Sequence, residues 1–173
     1  MIKKTERLAK EMEKLSEEKR RFKADTRNLI DVTLMSIAIT LFGLIATIKP
    51  ELLSENIFFG LQLALTLPLF MCGLLSRIKE ATYIKSDKWY NLSTFSFTTA
   101  YGFFINVVGL ILAFISPLYM ALAFFAVNTL LTLVRAGIVI SYDKTELKKR
   151  VIRETYQILL IIFLGVLPAL RIY

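Results

Sequence analysis

The stretch Asn91–Ser116, NLSTFSFTTAYGFFINVVGLILAFIS, decides how the chain is read. Its length and its apolar second half fit one membrane-spanning helix. Its first half carries Ser93, Thr94, Ser96, Thr98, Thr99 and Tyr101, and Asn106 follows deeper in. At about 100° per residue these do not form a single stripe. Thr94, Thr98 and Tyr101 share one face, and the others spread over the rest. A helix polar on most sides is not expected to face lipid, so other helices or water must surround it.

The rest of the chain supplies that wrapping. It has 173 residues, 55% of them hydrophobic. This is enough for four or five spans and too apolar for an ordinary soluble domain. Further apolar runs lie at about 28–48, 56–75, 118–141 and 156–170, beside the one at 91–116. The fold expected is an all-α integral membrane protein. A bundle of four to five transmembrane helices over 28–173 follows a charged, amphipathic cytoplasmic helix over 1–27. Ser116-Pro117 leaves room only for a tight hairpin between the third and fourth spans. The last run has 15 residues, about 22 Å as a helix. That is short for a core of about 30 Å, so it reads as a short fifth span, or else as a re-entrant or packed segment.

The net charge of +8 raises the question of nucleic acid, but the basic residues sit in blocks between apolar runs, as topology determinants do. With the N-terminus in the cytoplasm, 20 of the 22 Lys and Arg fall on the inside, and Lys49 and Arg171 on the outside. No cleavable signal is visible, and the first apolar run reads as a retained anchor. The partners expected are the lipid bilayer, further copies of the chain, and a cytoplasmic protein or anionic lipid at the basic connectors.

Three patterns bear on assembly. Thr33, Ser36, Thr40, Gly43 and Thr47 fall at spacings of 3 and 4 in the first span, on one face. This predicts close helix packing, with a pore lining as the sharper alternative. In the second span, Gln62, Thr66, Gly73 and Ser76 share a face, and Pro68 removes one backbone hydrogen bond. Before the first span, Leu8, Leu15, Phe22 and Leu29 recur every seven residues. The companion series Thr5, Met12, Lys19, Thr26 is a poor second seam. This segment reads as a solvated helix with one greasy edge, or as a helix that packs on itself or on a partner.

Asp31 is the only acid inside the expected spans, and Arg135 is the only base well inside one. Their depths match, so they are expected to form an ion pair, or else to snorkel separately. Asn106 and Asn128 lie on adjacent hairpin arms and are candidates for a mutual hydrogen bond. Thr94, Thr98 and Tyr101, with these two asparagines, are the candidate lining of a pore or polar core.

The chain has no histidine, one cysteine and no Gly-rich phosphate loop. No catalytic residues, metal ligands or cofactors are therefore assigned, and an enzyme is not expected. Neither a potassium-filter sequence nor the paired broken helices of repeat-built transporters is present. The function expected is an oligomeric channel or pore passing ions or small solutes. The alternative is a structural or regulatory membrane protein whose basic cytoplasmic helices dock a partner or anionic lipid.

Overall fold

The structure, a computed structural model, describes residues 25–26, 28–51, 53, 56–82, 87–142 and 147–172. The helix expected over 1–27 lies outside these residues, apart from Asp25 and Thr26, which are helical. Among the described residues there is no strand. Five helices are long and apolar enough to cross a membrane. They are α1 (Asn28–Ile48), α2 (Ile57–Thr82), α3 (Asp87–Ile115), α4 (Leu118–Tyr142) and a fifth rod spanning Leu147–Ile172. The fifth rod is α5 (Leu147–Ile161), a π turn over Ile162–Val166, and α6 (Leu167–Ile172).

The starts and stops follow local chemistry. Asn56 caps α2, its side-chain oxygen accepting the Phe59 N–H at 3.1 Å. Pro117 sits just ahead of α4, where a missing N–H costs nothing. Pro68 lies inside α2, and the helix continues through it. α2 and the fifth rod are longer than their apolar runs: α2 continues seven residues past Leu75, and α5 begins nine residues before Tyr156. The expected short last span is thus corrected to a rod of 26 residues. Its first turns were hidden by their charges. Lys148, Lys149 and Arg150 form helix as readily as leucine does, although they end a hydropathy window.

α3 is the axis of the bundle. Of its most apolar window 56% is buried, against 17% for α1 and for α4. α2 packs along it most extensively, and α4, α5, the π turn and α6 all touch it. Phe59, Phe70, Leu110 and Phe125 are among the largest fully buried side chains. The outside is strongly apolar: Ile39, Leu44, Leu61, Leu130 and Leu131 are exposed, while Asp31, Gln62, Thr66 and Asn106 are fully or almost fully buried. This inside-out distribution, with the five apolar helices, suggests a membrane protein. In such a solvent the core is held by van der Waals contact and polar bonds, because lipid tails are as apolar as leucine.

Candidate functional site

Buried polar groups lie near the start of α2 and in the last third of α3 and of the fifth rod. They form one network, and it begins with a proline. Pro168 has no N–H, so the Leu164 carbonyl four residues earlier lacks its usual helical donor. The chain widens ahead of it, with the Leu167 N–H bonding the Ile162 carbonyl five residues back. Gln62 of α2 supplies the missing donor, its Nε2 reaching the Leu164 carbonyl at 2.8 Å and the Phe58 carbonyl at 3.0 Å. Asn106 of α3 closes the network. Its Nδ2 donates to Gln62 Oε1 at 2.7 Å and to the Leu160 carbonyl at 3.2 Å. Thr66 Oγ1 donates to the Gln62 backbone carbonyl at 2.6 Å.

Two glycines allow this approach. A Cβ on Gly165 would stand 2.4 Å from Asn106 Oδ1 and 2.7 Å from the Phe125 ring, and one on Gly109 would stand 2.2 Å from the same ring. Phe125 of α4 therefore occupies the space between α3 and the π turn. Asn106 turns to α2 and the fifth rod instead of to α4. Its expected bond to Asn128 is not formed: Asn128 Nδ2 donates to the Phe124 carbonyl of its own helix at 2.9 Å.

The other expected lining residues divide. Thr98 is buried, and Thr94 and Tyr101 are half-buried. The Tyr101 ring stacks on Phe97 with centroids 6.1 Å apart. Neighbouring hydroxyls reach other helices. Ser96 Oγ lies 3.4 Å from Cys72 Sγ, and Thr99 Oγ1 lies 3.0 Å from the Tyr156 hydroxyl. A cavity of about 230 Å³ opens elsewhere, at the end of the bundle lined by Asn56, Phe58, Pro168 and Arg171. None of the five expected lining residues borders it.

Two ion-pair groups mark the opposite end. Arg77 Nη1 donates to Asp31 Oδ2 at 2.6 Å, with the two side chains 10% and 1% exposed. The Arg77 guanidinium also lies 4.9 Å from the centre of the Phe97 ring. Arg135 Nη2 donates to Glu154 Oε2 at 2.9 Å, and Arg153 Nη2 to Glu154 Oε1 at 2.8 Å. The expected Asp31–Arg135 pair is therefore replaced by two others. Matching depth did not choose the neighbour. The expected spans 56–75 and 156–170 leave out Arg77 and Glu154, because each is bounded where charge begins. Both lie inside helices, α2 and α5. Gln62 and Tyr156 are visible in the sequence without a partner, and Pro168, like Pro68, signals an unserved carbonyl four residues earlier.

The Gln62–Leu164, Asn106–Gln62, Asn106–Leu160, Ser96–Cys72, Thr99–Tyr156, Arg77–Asp31 and Arg135–Glu154 contacts each join one helix to another. Chemically, the arrangement pins α2, α3 and the fifth rod toward the end where α2 begins, and α1 to α2 and α4 to α5 at the other end. Comparison of the chain with known protein families, with curated proteins and with solved structures finds no match.

Proposed function

We propose that the chain is a structural or regulatory membrane protein, inserted with its N-terminus in the cytoplasm, whose basic face holds anionic lipid head groups. The observation that carries this reading is the polarity of the bundle. Every described Lys and Arg except Lys49 and Arg171 belongs to the end where α2 finishes, α3 begins, α4 finishes and α5 begins. Lys88 and Lys148 are exposed there. A basic side chain near an anionic membrane surface is worth about 1 kcal/mol. The oligomeric channel is the competing reading. On α3, Asn106 of the expected lining bonds to α2 and the fifth rod, Thr98 is buried, and the neighbouring Ser96 and Thr99 reach Cys72 and Tyr156, which favours packing over conduction.

The test is reconstitution into phosphatidylcholine vesicles with and without phosphatidylglycerol. Phosphatidylglycerol is expected to raise the Tm, and Lys88→Gln with Lys148→Gln is expected to reduce that rise. An equal Tm in both lipids would reject lipid docking and leave a protein partner as the occupant of the basic face. Ion flux through vesicles would return the channel reading. In a Cys72→Ala background, cysteines at Lys49 and Ser116 should react with an impermeant reagent from outside intact cells, and one at Lys85 should not. The reverse pattern would overturn the orientation.

A further inference from the structure

The two ion-pair groups at the basic end are built differently. Asp31 and Arg77 close on each other, and little of either side chain is left exposed. Glu154 instead holds two bases. Its Oε2 accepts from Arg135 Nη2 at 2.9 Å, and its Oε1 accepts from Arg153 Nη2 at 2.8 Å and Nε at 3.2 Å. The carboxylate is buried, but the two arginine side chains are 56% and 34% exposed. Among the described residues no second carboxylate pairs with either guanidinium. The group therefore carries one positive charge in excess, on its open side.

Depth makes that excess informative. Arg135 lies seven residues before the end of α4 at Tyr142, and Arg153 lies six residues after the start of α5 at Leu147. Both are about 10 Å from a helix end. An unbalanced charge at that depth in a membrane is costly unless it reaches the interface or meets an anion. An arginine side chain is long enough to extend toward the head groups. Most of the donors are also unspent. A guanidinium has five N–H groups, of which Arg135 gives one to Glu154 and Arg153 gives two. Glu154 orients both forks, and such a fork matches the oxygens of a phosphate two at a time. Leu131 and Val127, one and two turns deeper on α4, are exposed. An anion held here has an apolar surface beside it, which suits a lipid better than a free ion.

We propose that Arg135 and Arg153, oriented by Glu154, clamp the phosphodiester of one anionic phospholipid at the junction of α4 and α5, with its acyl chains along Leu131 and Val127. The charges close: two guanidiniums, one carboxylate and one phosphodiester sum to zero. A phosphatidylcholine would bring its own cation and leave the excess in place. The proposal rests on the reading of the basic end as a lipid-holding face and names a site within it.

The test titrates phosphatidylglycerol onto the full chain in mild detergent and counts retained lipid by native mass spectrometry. One phosphatidylglycerol per chain is expected to be held more tightly than any phosphatidylcholine. Arg135→Gln and Arg153→Gln should each weaken it about fivefold or more. Arg135→Lys should restore only part of the loss, because an ammonium lacks the fork. Arg135→Gln with Glu154→Gln removes one charge of each sign, so the net charge of the basic end is unchanged and no carboxylate is left unpaired. This variant is expected to lose the tightly held lipid with its helix content kept. Sodium phosphate and glycerol phosphate at millimolar concentration should not displace the lipid, and displacement by either would overturn the lipid assignment in favour of a free-phosphate site. If Arg135→Gln, alone or with Glu154→Gln, holds phosphatidylglycerol as tightly as the wild type, the clamp is overturned and lipid docking at the basic end stands. A wild type that prefers neither lipid would overturn both.

Discussion

α1 and α3 carry the same kind of side chain and use it in opposite ways. In α1 the hydroxyls of Thr33, Ser36, Thr40 and Thr47 are exposed, and each is satisfied by its own helix. In α3, Ser96 and Thr99 reach Cys72 and Tyr156, and Asn106 reaches α2 and the fifth rod. The difference teaches what a polar residue commits a helix to. A hydroxyl bonded four residues back is nearly indifferent to its surroundings. An amide has two donors and an acceptor, more than one neighbouring carbonyl can serve. Asn106 is therefore placed where other helices serve its two donors, while its Oδ1 stays buried without a hydrogen-bond partner. Asn128, with one bond to its own helix, stays half-buried at the rim.

The largest effects are expected where burial and charge coincide. Arg77→Gln should cost about 3–5 kcal/mol, because it takes the guanidinium away from a buried carboxylate. Arg135→Gln should cost under about 1 kcal/mol, since the Arg135 side chain is 56% exposed and Arg153 remains on Glu154. Unfolding of the detergent-solubilised protein measures both, and equal losses would erase the distinction between the two ends of the scale. Asp31→Asn combined with Arg135→Gln should be additive, since the two residues belong to different pairs.

Next comes the Gln62–Asn106 network. Asn106→Leu should cost about 1–3 kcal/mol by leaving Gln62 Oε1 without its donor. Adding Gln62→Leu should cost less than the sum, although the Leu164 carbonyl then loses its donor as well. Strict additivity in the same unfolding assay would mean that the two amides do not act as a unit.

The smallest effect belongs to α1. Thr33→Val with Thr40→Val should change the stability of a single chain by no more than about 0.5 kcal/mol. A loss comparable to that of Asn106→Leu would show that this face is not open in the single chain, and would collapse the contrast between the two helices.

Much of the fold could be read in advance. The five apolar runs became five helices, and the central place of α3 followed from polar residues on too many of its sides. The stripe Gln62, Thr66, Gly73, Ser76 on α2 is buried throughout. The sites were less legible. The boundary of a span was set by where charge begins, yet Arg77 and Glu154 continue their helices beyond it, Arg77 half-buried and Glu154 buried, each in an ion pair. The stripe on α1 was expected to pack, and within the chain it faces outward.

What the sequence determined by itself is periodic and local: which runs are apolar enough to be helices, which residues share a face, and which carbonyl Pro168 leaves without a donor. These depend on the chain's own repeat of 3.6 residues and on covalent structure. What the tertiary structure alone decided is which face meets which neighbour. Asp31 takes Arg77 and Asn106 takes Gln62 because rotation about a helix axis is set by packing against other helices. Phe125 must fill the gap between Gly109 and Gly165, and with that ring in place Asn106 is left facing α2 and the fifth rod.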